Sequence, residues 1–211
     1  MNRNPEYSSP GVFAALFFSL SVRVLITLYW LSRFGGTWVE GDMARTTAAI
    51  QAVYDSGRLI PAQQRIYPNG FLYQVYVTVL ARLTGWSVTD VQTWILPFAG
   101  VLLTLITFTF FMRILKHPAA AAVATVLLNL QGDYIIITTS GLHEKVDFML
   151  IFVALLVLSL TLARISSVRE RLALAVIYYL VIMAETLSNV FFASTFIVTL
   201  VFSLLLWVLL R

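Results

Sequence analysis

The sequence predicts an all-α, polytopic membrane bundle of about six transmembrane helices, and three observations carry that prediction. Of the 211 residues, 60% are hydrophobic and only 11% are charged, with a mean hydropathy of +0.88. Several apolar runs reach the roughly 20 residues that a helix needs to cross hydrocarbon. The runs are long rather than alternating: residues 146–163 carry no charge except Asp147 near their start. A transmembrane barrel would instead show short segments of alternating polarity. An ordinary soluble domain is excluded by the same features. With no cysteine in the chain, disulfides and thiol-based metal sites or nucleophiles are excluded too, although the compartment is left open. The net charge of +4 is small and unclustered, so no nucleic-acid partner is expected.

Residues 1–10 are short and polar, and 11–34 form the first span. That run is too long for a signal-peptide core and lacks an evident cleavage site, so it reads as a retained helix. The next spans are 94–115, 118–137 and 146–163. The apolar block 172–210 is too long for one helix at about 1.5 Å per residue and divides near Glu185, Ser188 and Asn189. No internal repeat or low-complexity linker interrupts the chain, which reads as a single membrane domain, 1–211, with an outer loop region over 35–93.

Segment 70–83 is apolar but short, and contains Gln74 and Arg82. Positive charge decides its topology. If it does not cross, Arg3, Arg113, Lys116, Arg164, Arg169, Arg171 and Arg211 all flank spans on the cytoplasmic side. If it crosses, Arg113, Lys116, Arg164, Arg169 and Arg171 move into short outer loops, against the bias. The segment is therefore expected to be a juxtamembrane or re-entrant helix. The N-terminus is then cytoplasmic, and eight of the ten carboxylates (Glu40, Asp42, Asp55, Asp90, Asp133, Glu144, Asp147 and Glu185) fall at or near the outer surface. Acids are less constrained by topology than bases, so this grouping also has a bland explanation.

Glu40-Gly41-Asp42 follows the first span closely, and Met43, Ile50, Val53 and Tyr54 recur at helical spacing before Gly57 supplies a stop. This predicts a short amphipathic helix at the interface with Asp42 at its start. Asp42 there is either a helix N-cap or a carboxylate able to take a proton from an acceptor hydroxyl. Downstream, Arg65 precedes Tyr67 and the Pro68-Asn69-Gly70 turn. Tyr67 suits an interfacial belt, while Arg65 is either a solvated loop charge or a phosphate ligand. His143 and Asp147 share a helical face with Glu144 adjacent. Too few hard ligands gather for a dedicated divalent-cation site, so a salt-bridge cluster is favoured over a metal. Arg23 within the first span costs roughly 2.5–3.5 kcal/mol on insertion scales, so it needs a partner such as Glu185 or must snorkel.

In order and texture the chain resembles the membrane-embedded glycosyltransferases of the GT-C fold, which use polyprenyl-phosphate-linked sugars. The resemblance rests on Arg23 in the first span, Glu40-Gly41-Asp42, Asp55-Ser56-Gly57-Arg58-Leu59-Ile60-Pro61, Tyr67-Pro68-Asn69-Gly70, Gly85-Trp86-Ser87 and Thr139-Ser140-Gly141-Leu142-His143-Glu144-Lys145. It implies inverting sugar transfer at the outer face of a bacterial or archaeal cell membrane. Asp42 would be the general base with Glu40 beside it. Arg65, His143 and Lys145 would steady the donor phosphate, and Tyr67, Glu144 and Glu185 would line the substrate cavity. No cofactor is assigned, and a divalent cation is compatible but not favoured. Members of that group are generally longer, so this chain is expected to be a fragment, a minimal form or one subunit of a split assembly. Two other classes compete: a non-catalytic membrane subunit, and a transporter. Transport ranks third because it needs ionisable residues along the spans together with broken helices, and the sequence offers Arg23 alone.

With an outward 35–93 region, single cysteines introduced as Asp42→Cys and Glu144→Cys are expected to react with a membrane-impermeant maleimide in intact cells. Inaccessibility at both positions would overturn the topology.

Overall fold

The computed structural model describes residues 9–34, 41–58, 70–139, 144–162 and 168–188, with residues 194, 196–198, 200 and 201. These residues are helical almost throughout, and no strand occurs among them.

Helix α1 (Ser9–Phe34) begins with Pro10 in its first turn, where a missing N–H is harmless, and continues without an internal breaker. Phe13, Phe17, Phe18, Leu25, Leu28 and Tyr29 project from it exposed, a face suited to hydrocarbon rather than water. Helix α2 (Gly41–Ser56) forms over the expected segment. Its apolar spacing buries Ile50 and Val53 completely or nearly so, and Tyr54 packs on the same cluster. Gly57 then takes a positive φ of 66° and donates its N–H to the Val53 carbonyl at 3.1 Å, which ends the helix.

Helix α3 (Phe71–Thr84) is 14 residues long, about 21 Å, too short for a hydrocarbon core of about 30 Å. It stops at Gly85, whose φ of 72° favours glycine. The expected helix over 70–83 is thus present and packs against α2. After it, Ser87 caps α4 (Val88–Asp90): its hydroxyl accepts the Asp90 N–H at 3.1 Å and donates to the Asp90 carboxylate at 2.6 Å. The chain continues through a π-helical turn over Val91–Ile95 and a 3-10 turn over Leu96–Phe98 into α5 (Ala99–Leu115). The irregular turns have an evident cause, because Pro97 cannot donate to a carbonyl in the preceding turn.

The second long apolar helix therefore starts at Val88, earlier than the expected 94, and runs for 28 residues to Leu115. Val88, Val91 and Leu96 are buried against Ile50, Tyr73, Val77 and Ala81, so packing extends the helix beyond the purely apolar stretch. Helix α5 ends at Lys116, which adopts a left-handed φ of 53°. His117 caps α6 (Pro118–Leu130), its Nδ1 accepting the Ala120 N–H at 3.3 Å.

One difference from expectation is large. The span read over 118–137 is not straight: α7 (Gly132–Thr139) leaves α6 at 75°. Gln131 takes an extended backbone (φ −69°, ψ 128°), and the ladder restarts after it. Helix α6 alone has 13 residues, about 20 Å. Helices α8 (Glu144–Leu162) and α9 (Val168–Ser188) follow and pack closely on each other, while α8 also lies along α5. Near its start, α1 contributes Val12, Ala15 and Leu16 to a core with Phe108, Phe111, Met112, Ala121 and Ala122. Among the described residues, Pro10–Arg33 and Val88–Leu115 are long and apolar enough to cross a membrane, and the bent α6–α7 pair makes a third if it counts as one span. The architecture is that of a helical membrane protein.

Replacement of Ile50, which has no exposed surface, by alanine is expected to destabilise the α2–α3–α4 cluster by about 2–5 kcal/mol. Denaturant unfolding in detergent, followed by tryptophan fluorescence, measures this.

Candidate functional site

The side chain of Arg23 points into the protein instead of snorkelling, and none of its surface is exposed. Its Nη2 donates to the Thr138 hydroxyl oxygen at 2.7 Å. Its Cζ lies 6.0 Å from the centroid of the Tyr134 ring, at the outer limit of a cation–π contact. The third contact is with Gly100, one residue inside α5, where any Cβ would collide with the guanidinium. Helices α1, α5 and α7 therefore meet at this cation.

Polar groups surround it. Thr27, one turn along α1, is fully buried, and Tyr134 is 1% exposed. On α5, one turn after Gly100, Thr104 donates to the Gly100 carbonyl at 2.8 Å and lies 3.2 Å from the Asn129 amide oxygen on α6. Tyr134 packs edge-on against Phe148 of α8, with centroids 5.6 Å apart, and the adjacent Asp147 is fully buried. Among the described residues, several atoms in this layer have no hydrogen-bond partner: Arg23 Nε and Nη1, Thr27 Oγ1, Asn129 Nδ2 and the Tyr134 hydroxyl. Unpaired buried polar atoms are costly, so such a concentration calls for an explanation.

A second polar region lies in the α2–α3–α4 cluster. Thr47 donates to the Gln92 amide oxygen at 3.0 Å, and Gln92 Nε2 lies 3.4 Å from the Tyr73 hydroxyl. Arg82 donates to the Tyr54 carbonyl at 2.8 Å while lying 5.5 Å from the Tyr54 ring centroid, so it ties the end of α3 to α2. Gly85, Trp86, Ser87, Asp90 and Trp94 line a shallow open groove of about 370 Å³ beside it.

The candidate residues read from the sequence fall as follows. Asp42 is the second residue of α2, Glu144 and Lys145 open α8, and Glu185 stands in the last turn of α9; the side chains of these four lie outside the described residues. Glu40, Arg65, Tyr67 and His143 lie outside the described residues altogether. Among the described residues, no three of His, Asp and Glu gather as a metal site would require.

The backbone nevertheless relates the two acidic segments. The start of α1 packs on the end of α5 and the start of α6, while Arg23 further along reaches Gly100 at the start of α5. Helices α1 and α5 are therefore antiparallel. Helix α2 packs on α3 and α4, which lead into α5. In α8, Phe148 meets Tyr134 of α7 and Phe152 meets Phe110 further along α5, so α8 starts toward the same end.

No known protein family, curated protein or solved structure matches this chain.

Sequence reasoning found Arg23 but not its setting. Gly100 reads as one more small residue in an apolar run, and Thr138 and Tyr134 lie in a segment read as an ordinary span. Gly100→Ala is expected to displace the guanidinium and to destabilise the protein by about 1–3 kcal/mol. The unfolding midpoint in detergent measures it, with Gly132→Ala, whose Cβ would meet no heavy atom within 4 Å, as the control.

Proposed function

We propose that this chain is a membrane glycosyltransferase of the GT-C type, carrying about six spans with a cytoplasmic N-terminus, and that it transfers a sugar from a polyprenyl-phosphate donor at the outer face of the cell membrane. The observation that supports this most is positional. Helix α2, with Asp42 in its first turn, and α8, with Glu144 and Lys145 in its first turn, begin toward the end of the bundle where α5 begins. That common end supports a reading in which a base and a phosphate-binding cation act on one substrate at one surface.

In this reading the Asp42 carboxylate takes the proton from an acceptor hydroxyl. The hydroxyl oxygen attacks the anomeric carbon from the face opposite the leaving group. The bond between that carbon and the phosphate oxygen breaks, its electron pair leaves with the lipid phosphate, and the configuration inverts. Arg65, His143 and Lys145 stabilise the charge gathering on the phosphate. Glu40 supports Asp42, and Tyr67, Glu144 and Glu185 shape the cavity. The bilayer delivers the donor, and further membrane subunits complete the acceptor site.

A second reading draws on a specific observation. The 75° break between α6 and α7, together with the buried Arg23 and Asp147, supplies the broken helix and interior ionisable residues that a transporter uses. A non-catalytic subunit with the same fold is the third possibility.

Transfer from radiolabelled polyprenyl-phosphate sugars decides among these. Asp42→Asn is expected to lower turnover by about 10²–10⁴-fold, as loss of a general base does. Asp55→Asn should leave it unchanged, because that exposed carboxylate only accepts a hydrogen bond from Gln51 of its own helix at 2.8 Å. Full turnover in Asp42→Asn removes it as the base, and no turnover by the unaltered chain with any donor favours a non-catalytic or transport role.

A further inference from the structure

We infer that the buried cluster around Arg23 is a binding site for a phosphate-type oxyanion, held between α1, α5 and α7 where the α6–α7 break occurs. The inference does not depend on glycosyl transfer and involves none of the residues assigned to the donor phosphate above.

Charge comes first. Arg23 lies roughly 21 Å along α1 from its start, within a helix otherwise free of charge until Arg33. A guanidinium stays protonated under all ordinary conditions. Its one hydrogen bond goes to a neutral hydroxyl, and among the described residues no carboxylate bonds to it. An unpaired positive charge in a membrane interior faces a protein partner, a water-filled cavity or a bound anion.

Hydrogen-bonding capacity points the same way. Among the described residues, the atoms around Arg23 without partners are donors: its own Nε and Nη1, the Asn129 amide nitrogen, and the hydroxyls of Tyr134 and Thr27; the acidic group of the same layer, Asp147, is buried beside Phe148 on α8. A surplus of donors next to a cation selects an acceptor-only occupant with negative charge. The donors belong to α1, α6 and α7, and so approach from several directions. A tetrahedral oxyanion presents oxygens in several directions, which a planar carboxylate does not.

Backbone geometry supplies the third argument. Irregular backbone within a membrane protein is tolerated where it is enclosed by protein or lines a cavity, and broken helices recur where ions and substrates bind. Gln131 breaks the ladder one residue after α6, and α7 carries both Tyr134 and Thr138 back over Arg23. Gly100 keeps the facing wall of α5 free of a side chain where the guanidinium lies. Because Arg23 has no exposed surface, the anion reaches it when the eight-residue α7 tilts about the Gln131 junction.

The anion is either free phosphate or the phosphomonoester headgroup of a lipid. The test uses the full chain purified in a neutral maltoside detergent, with the unfolding midpoint read by tryptophan fluorescence. One arm exchanges chloride for inorganic phosphate at constant ionic strength. The other adds dioctanoyl phosphatidic acid, with dioctanoylglycerol as the uncharged control. A saturable rise of about 5 °C is expected in one arm, absent in Arg23→Gln and retained in Arg113→Gln, which removes an exposed cation. A rise with inorganic phosphate identifies the free anion; a rise with phosphatidic acid alone identifies the lipid headgroup. If Arg23→Gln does not fold, ³¹P line broadening of the same ligand by the unaltered chain is compared with Tyr134→Phe, which removes one of the unpartnered donors, and weaker broadening is expected. No saturable response in either arm, an equal response in Arg23→Gln, or broadening unchanged by Tyr134→Phe overturns the inference.

Discussion

One guanidinium in an apolar helix organises the centre of this protein. At a helix midpoint Arg23 carries an insertion penalty of about 2.5–3.5 kcal/mol, so the fold must place something favourable around it. It does so with a hydroxyl from Thr138, the π face of Tyr134 and the bare backbone of Gly100. Each of these comes from a chain segment distant in sequence. Burying the arginine thus requires α5 and α7 to be in place, and it is equally the reason they lie where they do. The penalty is divided among neutral groups, and among the described residues no carboxylate bonds to the guanidinium.

At the start of α5 the constraint is different. The α2–α3–α4 cluster is built by ordinary burial of Ile50, Tyr73, Val77, Ala81, Val88, Val91 and Leu96. It is continuous with a long apolar helix because the chain passes from α4 into α5 without a loop. A π turn and a 3-10 turn absorb the defect that Pro97 introduces, and so the helix serves two environments. Its first residues pack on α2 and α3, and its remainder packs on α1, α6 and α8. Movement of the α2–α3 pair would be transmitted directly to the helix bearing Gly100.

Much of this was legible in the sequence where local pattern and tertiary packing agree. Ile50, Val53 and Tyr54 at helical spacing, followed by Gly57, specify α2 because the positions that recur are the ones that become buried. The short apolar segment 70–83 reads as a separate helix from its length and the positive charge around it, and a helix of 14 residues is what forms there. The early start at Val88 was hidden, since Ser87, Asp90 and Gln92 dilute hydropathy where Val88 and Val91 still find a core. The 75° bend was hidden for a related reason. Residues 118–137 average to a uniform apolar run, and only Gln131-Gly132-Asp133 interrupts it, without an internal proline to announce a kink. Of the site, Arg23 announced itself as a charge in an apolar run. Its partners Thr138 and Gly100 are residue types that spans commonly contain, so nothing local marks them out. Asp42 reads as the start of a helix from the spacing that follows it, and it is the second residue of α2.

The bend has a mechanical consequence for the surrounding lipid. A helix of about 20 Å followed by a turn through 75° is shorter than a hydrocarbon layer of about 30 Å, and a bilayer meets such mismatch by thinning locally. The indentation would form on the side where α7 lies, directly over the buried Arg23. Water and lipid headgroups would then have a shorter path to Arg23 there than anywhere else around the bundle. The same defect that shortens the helix would thereby make an otherwise inaccessible cation chemically reachable from the surface.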